Sequence, residues 1–67
     1  MKVSYQKLWH ILLDRNLTKK ALAEKAEITQ YTMKKLNKNE SVGTDTIGRI
    51  CLLLNCTADD IMDFIQD

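Results

Sequence analysis

The stretch from Thr18 to Leu36 most constrains what this chain can fold into. Its apolar side chains recur three and four residues apart, which predicts two short helices that pack across a sharp turn. Thr18 and Thr29 stand where N-caps would begin helices at about 18–26 and 29–37. The apolar positions of the stretch are Leu22, Ala23, Ala26, Ile28, Met33 and Leu36. They leave the second of the two helices with a polar outer face.

A further helix is predicted before this unit. Ser4 can cap it, it would run to about Arg15, and Asn16 can end it in the left-handed conformation. Its core-facing positions are Leu8, Ile11 and Leu12. Trp9 and Leu13 are partners at i and i+4 that lie to one side of this face. They form either the edge of the core or a partly exposed apolar patch.

Two more helices are predicted after the unit. Thr44 can cap a fourth helix, and Asn55 can stop it. Thr57 and Asp60 have the spacing of a capping box, which begins a fifth helix. The apolar positions of these two helices are Ile47, Ile50, Cys51 and Leu54, then Ala58, Ile61, Met62 and Ile65, with Phe64 beside them. We therefore expect an all-α chain of five helices.

The composition supports one small helical domain. The chain has 67 residues, no Pro and two Gly, so strand and turn signals are nearly absent, and residues 1–67 are expected to form a single domain. No apolar run approaches the roughly 20 residues of a membrane span. The N-terminus also lacks the apolar core of a signal peptide. We expect a cytoplasmic protein with reduced cysteines and no membrane partner.

Charge is distributed unevenly along the chain. Residues 1–39 hold nine basic side chains and three acidic ones, a net charge of +6. Residues 40–67 hold one basic side chain and six acidic ones, a net charge of −5. This division favours one face for a polyanion and another face turned away from it. Chance clustering of solvated charges is the simpler alternative.

The sequence offers no constellation for catalysis or for metal binding. Cys51 and Cys56 are five residues apart, and the single His10 is distant from both, which is not a zinc-ligand pattern. There is no Ser/His/Asp arrangement, no phosphate-binding glycine loop and no catalytic carboxylate pair. We expect that the protein is not an enzyme and that it binds no cofactor and no small-molecule ligand. Cys51 is predicted to be a buried core thiol, whereas Cys56 has a weaker claim to burial.

The motif Thr-x-x-x-Leu-Ala-x-x-Ala-x-Ile-Thr-x-x-x-Met-x-x-Leu, from Thr18 to Leu36, resembles the phage repressor/Cro-type helix-turn-helix family. Residues 42–61 are similar to the family's fourth and fifth helices, and small stand-alone regulators are the nearest likeness. The resemblance implies a five-helix lambda-repressor-like DNA-binding domain with the helix-turn-helix at helices 2 and 3. The family usually has Gly where this chain has Glu27, and a left-handed Glu would add strain of order 1 kcal/mol.

The resemblance also implies which residues would contact DNA. In this family the N-terminal half of the third helix enters the major groove. Bases would be read by Gln30, Tyr31, Thr32 and Lys35. Phosphates would be contacted by Lys19, Thr29, Lys34, Lys38 and Asn39. A merely solvated helix face is the alternative for these polar side chains.

The resemblance implies that the protein binds double-stranded DNA sequence-specifically. It also implies a transcriptional regulator that represses by occupying an operator. Family members commonly bind palindromic operators as twofold dimers. Met62, Phe64 and Ile65 could form the seam of a homodimer, or they could complete the monomer core. The apolar pair Trp9 and Leu13 offers a second candidate interface. The alternative function is a protein-binding module on the same fold, antitoxin-like or anti-repressor.

Overall fold

The structure is a computed structural model that describes residues 2–66. In chain order its elements are β1 (Lys2–Ser4), α1 (Gln6–Asp14), α2 (Lys19–Lys25), α3 (Gln30–Asn37), α4 (Thr44–Leu54), α5 (Ala58–Ile61) and β2 (Asp63–Ile65). The predicted fold class is confirmed, since five helices make up most of the chain and α2 and α3 form the helix-turn-helix. Across residues 2–66, no helix is both long and apolar enough to span a membrane.

A single apolar core lies where the helices meet. Its most deeply buried side chains are Tyr5, Leu8, Leu22, Leu36, Ile50, Leu54 and Ile61. Every helix contributes at least one of them, so no helix can detach without exposing a large apolar side chain. Full burial of one such side chain stabilises a fold by roughly 1.5–3 kcal/mol. The packing of Leu22 and Leu36 in this shared core fixes α2 against α3.

The caps of α2 and α3 are those that the sequence predicts. The Thr18 hydroxyl accepts a hydrogen bond from the backbone N–H of Ala21 at 3.0 Å. The Thr29 hydroxyl accepts one from the N–H of Thr32 at 3.2 Å. Each cap satisfies a donor that the first turn of a helix leaves without a backbone partner. Asn16, with a φ of 55°, is left-handed after α1, as predicted.

Two predicted helix starts need correction. Ser4 does not cap α1, because it belongs to β1 and Tyr5 is the N-cap residue. The Ser4 hydroxyl still accepts from the N–H of Gln6 at 3.3 Å. Thr44 is the first helical residue of α4, and Gly43 is its N-cap. Asn55 ends α4 in the left-handed conformation, with a φ of 56°, as predicted.

The prediction of a fifth helix that reaches Ile65 is wrong. The α5 helix ends at Ile61, and the backbone of Met62 is extended, with φ −148° and ψ 156°. The next three residues form β2, which pairs antiparallel with β1 so that Val3 lies opposite Phe64. A single turn of helix is marginal alone, so backbone pairing with β1 prevails over the helical spacing of the apolar residues.

Burial at the edges of the core also differs from expectation. Cys51 packs against the core, as its prediction as a core thiol requires, but it is half-buried rather than buried. Cys56 is half-buried as well. Of the apolar pair on α1, Leu13 is 75% exposed, whereas Trp9 is half-buried against the core. Trp9 is therefore the core edge and Leu13 is surface.

Candidate nucleic-acid interface

The turn between α2 and α3 sets the direction of α3. Glu27 is left-handed in this turn, with a φ of 56°. The backbone N–H of Ile28 donates to the carbonyl of Ala23 at 2.8 Å, and Arg49 Nη1 donates to the Glu27 carbonyl at 3.3 Å. The turn therefore has the shape that a glycine would give it, held at both ends by hydrogen bonds. The turn orients α3 so that Leu36 lies in the core and the opposite face of the helix points outward.

The outward face of α3 carries the side chains that the family resemblance implies would read bases. Gln30 and Tyr31 are exposed, and Thr32 and Lys35 are half-buried. Lys34, predicted to contact phosphate, is exposed on the same helix. Since Leu36 on the inner face is fully buried, α3 cannot turn this polar face inward. The structure thus brings all five side chains together on one rigid helix.

Tyr31 and Lys35 form a pair on this face. The Lys35 Nζ lies 4.9 Å from the centroid of the Tyr31 ring. The two residues are four apart, so one turn of helix places the ammonium beside the ring. A cation–π contact at such an exposed site is worth about 0.5–1 kcal/mol. The two candidate base-reading side chains therefore hold each other in place.

Thr29 has less freedom to bind phosphate than its position implied. Its hydroxyl donates to Thr32 Oγ1 at 3.1 Å while it accepts from the Thr32 N–H. The hydroxyl is thus engaged as the cap of α3. A phosphate at Thr29 would have to redirect the hydroxyl proton that Thr32 now receives.

Lys19, the first residue of α2, is held by two neighbours. Its Nζ donates to Asn37 Oδ1 at 2.7 Å and lies 4.3 Å from the centroid of the Trp9 ring. Lys19, Lys20, Gln30 and Asn37 line one groove between α2 and α3. The structure therefore places a candidate phosphate contact and a candidate base contact on the same groove.

The loop after α3 is tied to the start of α1. Asn39 is left-handed, with a φ of 58°, and its Oδ1 accepts from the Tyr5 N–H at 3.1 Å. The Tyr5 hydroxyl donates to the Glu40 carbonyl at 2.8 Å, and burial raises the pKa of Tyr5. Lys38 is exposed beside these anchors. The side-chain oxygen of Asn39 is therefore occupied, which leaves its amide group for any phosphate.

Tyr5 is a residue of this site that sequence reasoning missed. Its side chain is 1% exposed and belongs to the apolar core. Its second role is to hold a loop 35 residues further along the chain. No local pattern carries that information. The signal in the sequence was the hydroxyl of an otherwise apolar residue, which needs a hydrogen-bond partner when it is buried.

One lysine of the basic half of the chain, residues 1–39, is paired with acidic residues of the other half. Lys7 Nζ forms a salt bridge with Asp63 Oδ1 at 3.0 Å and donates to the Asp59 carbonyl at 3.0 Å. The hydrogen bond to Asp63 raises the pKa of Lys7. Lys7 therefore belongs electrostatically to the acidic C-terminal segment, and six of the other nine basic side chains lie on α2, α3 and the following loop.

The residues predicted for a dimer seam lie at the C-terminus of the described chain. Phe64 is 66% exposed and Ile65 is 50% exposed, whereas Met62 is half-buried. An open apolar groove beside them is lined by Val3, Val42, Ile47, Met62 and Phe64, among others. Because Phe64 and Ile65 are exposed, they do not complete the monomer core.

Within residues 2–66, no group of three or more His, Cys, Asp or Glu side chains is placed to hold a metal ion. Cys51 and Cys56 lie close together, where the N–H of Cys56 donates to the Cys51 carbonyl at 3.0 Å. Burial, followed by the neighbouring Cys51, raises the pKa of Cys56. Cys56 is therefore a protonated thiol near neutral pH.

Comparison with known proteins agrees with this geometry. The sequence model of the Cro/C1-type HTH DNA-binding domain matches residues 7–67. A crystal structure of the transcriptional regulator VanUg superposes on the chain with a TM-score of 0.95 and 39% sequence identity, over 98% of this chain and 88% of that one. No curated protein sequence matches at a significant level. The chain belongs to the Cro/C1-type helix-turn-helix family of DNA-binding domains.

Proposed function

We propose that this protein is a cytoplasmic transcriptional repressor that recognises a specific operator with α3. The observation that carries the proposal is the outer face of α3, where Gln30, Tyr31, Thr32 and Lys35 project from a helix that Leu36 fixes in the core. A helix of this kind fits the major groove of B-DNA. The similarity to a transcriptional regulator supports the same function.

Each base-reading side chain has a chemistry that suits a base edge. Gln30 can pair with adenine N6 and N7, and Lys35 can donate to guanine O6 and N7. Thr32 and Tyr31 can donate a hydroxyl or pack against a thymine methyl group. Because Lys35 rests beside the Tyr31 ring, we propose that these two side chains read neighbouring bases as a unit.

Phosphate contacts would fix the position of α3 on the duplex. Lys19 and Lys34 flank the reading face, and Lys38 and Asn39 follow it in the anchored loop. Thr29 would contribute a further contact from the N-terminus of α3, once its hydroxyl turns outward. Such contacts carry little sequence information, but they supply most of the electrostatic affinity.

We further propose a twofold homodimer on a palindromic operator. Half-sites of such operators lie about 34 Å apart, one turn of DNA. The described chain measures 32 × 24 × 18 Å, so two copies side by side can place their α3 helices at that distance. Exposed Phe64 and Ile65, with half-buried Met62, form the candidate seam.

Repression needs no further machinery in this proposal. A dimer that occupies an operator within a promoter blocks the polymerase by excluded volume alone. Activation would require a specific contact with polymerase, and no feature of the described surface indicates such a contact. Repression by operator occupancy is therefore the simpler mechanism.

Selection of bound duplexes from a random library tests the proposal. We expect enrichment of a palindrome whose half-sites are about one helical turn apart, as for other helix-turn-helix dimers. Failure to enrich any sequence would contradict specific recognition. Co-purification of a stoichiometric protein partner, with no retardation of DNA, would instead support the protein-binding alternative.

A further inference from the structure

We infer that Trp9 is a positioning residue for DNA binding, because its ring and Asn37 hold the ammonium of Lys19 ready for a phosphate. The inference rests on the proposed function and adds two residues to it. Neither Trp9 nor Asn37 belongs to the predicted contact set. The two residues come from α1 and α3, so three helices meet at the Lys19 ammonium.

The geometry leaves the ammonium able to bind an additional anion. One of its three N–H groups donates to Asn37 Oδ1 at 2.7 Å, and the ring centroid of Trp9 is 4.3 Å from Nζ. A lysine carries three donors, and an indole face attracts a cation without accepting a conventional hydrogen bond. At least one N–H can therefore meet a phosphate oxygen while both protein contacts persist.

Both neighbours of Lys19 are neutral, which preserves its charge for DNA. Lys7 offers the contrast, since it forms a salt bridge with Asp63. A phosphate would have to compete with a bound carboxylate at Lys7, whereas the contacts of Lys19 are with neutral side chains. Glu24 lines the same groove as Lys19, but among residues 2–66 it forms no ion pair with it. Trp9 and Asn37 thus orient the ammonium without neutralising it.

Orienting Lys19 in advance lowers the cost of binding. A free lysine side chain has many rotamers, and fixing them on association opposes binding. In this protein the side chain is already confined between α1 and α3. Trp9 is suited to this task because it is half-buried: its contact with the core fixes the ring, while Leu8 and Leu12 supply the deeply buried packing of α1.

Lys20 provides the matched control. It follows Lys19 in α2, is exposed and lines the same groove. The cation–aromatic contacts found among residues 2–66 involve Lys19 and Lys35, and Lys20 makes none of them. A substitution at Lys20 therefore removes the same charge from the same groove without touching the Trp9 ring.

The test is a double-mutant cycle measured with a fluorescently labelled duplex of mixed sequence. Such a duplex suffices because binding to it depends chiefly on phosphate contacts. The variants are Trp9→Leu, Lys19→Met and their combination, with Lys20→Met alone and combined with Trp9→Leu. Affinity is measured by anisotropy over a series of salt concentrations, and thermal unfolding confirms that each variant is folded.

We expect Trp9→Leu to weaken binding by about two- to fivefold, the range of an exposed cation–π contact. It should cause no further loss in the Lys19→Met background but its full loss in the Lys20→Met background. Lys19→Met should reduce the slope of log affinity against log salt by about one unit per protomer. An equal loss from Trp9→Leu in all three backgrounds would overturn the inference. A wild-type protein that does not bind the duplex would overturn the proposed function as well.

Tryptophan fluorescence supplies a second test that does not depend on the folding of a Trp9 variant. Trp9 is the single tryptophan of the chain. We expect Lys19→Met to change its emission and Lys20→Met to leave it unchanged, because among residues 2–66 the cation found over the ring is the Lys19 ammonium. Identical emission spectra for the wild type and Lys19→Met would overturn the inference. Trp9→Phe, which keeps an aromatic face, should retain more affinity for the duplex than Trp9→Leu.

Discussion

Glu27 shows how a single residue can depart from a family pattern without changing the fold. It occupies a left-handed turn with a φ of 56°, where its side chain costs energy that Gly would not. The hydrogen bond from Arg49 goes to the backbone carbonyl of Glu27, so any side chain at this position permits it. The sequence left the conformation of Glu27 open, and the structure shows that it is left-handed.

We predict that Glu27→Gly stabilises the protein by about 1 kcal/mol, because it relieves the left-handed strain. Chemical denaturation measures the change. The matched control is Glu24→Gly, an exposed position inside α2. There the added backbone freedom should destabilise the protein by about 1 kcal/mol. A loss of stability of the same size in both variants would show that Glu27 is not strained.

Asp60 makes folding stability depend on pH. Its carboxylate accepts from the Thr57 N–H at 3.0 Å and from the Thr57 hydroxyl at 3.1 Å. These bonds, the backbone one first, lower the pKa of Asp60 below its ordinary value of 3.8. A lowered folded-state pKa stabilises the folded protein above the ordinary value, and this stabilisation disappears as pH falls through the lowered pKa.

We therefore predict that Asp60→Asn destabilises the protein at neutral pH and that the difference from the wild type shrinks below about pH 4. Denaturation curves recorded across that range measure it. A difference that stayed constant from neutral to acidic pH would mean that the charge of Asp60 contributes nothing to the capping box.

Local chemistry explains which residues could be predicted from sequence. Thr18, Thr29 and Asn55 act within one turn of the chain, so their type and spacing suffice to place them. Tyr5 and Trp9 act on residues far along the chain, and their partners depend on how the helices pack. The predicted contact residues of α3 were named from the resemblance to the helix-turn-helix family, and the periodic core face of the helix agrees with a polar outer face at those positions.

At the scale of elements, the structure differs from the sequence-based prediction in the C-terminal segment. Ile61 and Ile65 are four residues apart, which indicates a helix face, yet Ile65 lies in β2. The deciding partner is β1, whose three residues hold no pattern that distinguishes a strand from a helix entry. The consequence is functional: in a helix these apolar residues could pack inward, whereas β2 leaves Phe64 and Ile65 exposed.

We predict that Phe64→Glu abolishes self-association, because a charge at the proposed seam would be buried without a partner. Sedimentation measures the mass of the free protein and of its complex with DNA. The control is Leu52→Glu on α4, which alters an apolar side chain that is 85% exposed elsewhere on the surface. Dimers that survive Phe64→Glu but not Leu52→Glu would move the interface to α4.

At the scale of the whole molecule, the division of charge into two faces stays a prediction, and Lys2 and Lys7 depart from the division along the sequence, because Lys2 pairs with β2 and Lys7 with Asp63. Lys7 joins the acidic C-terminal segment through Asp63, while Lys19, Lys20, Lys34 and Lys38 remain exposed on α2, α3 and the following loop. Asp59 of α5 and Asp63 of β2 both contact Lys7 instead. We therefore expect a polyanion to bind the side that carries α2, α3 and the following loop.

Discrimination between the selected duplex and a scrambled one tests the central claim most directly. In the double variant Gln30→Ala/Lys35→Ala, we expect the preference for the selected duplex to be lost while thermal unfolding remains cooperative. Each such base contact is worth about 1–3 kcal/mol of discrimination, or roughly five- to 150-fold in affinity. Lys34→Ala should instead weaken binding to both duplexes alike. A double variant that discriminated as well as the wild type would contradict the assignment of α3 as the reading helix.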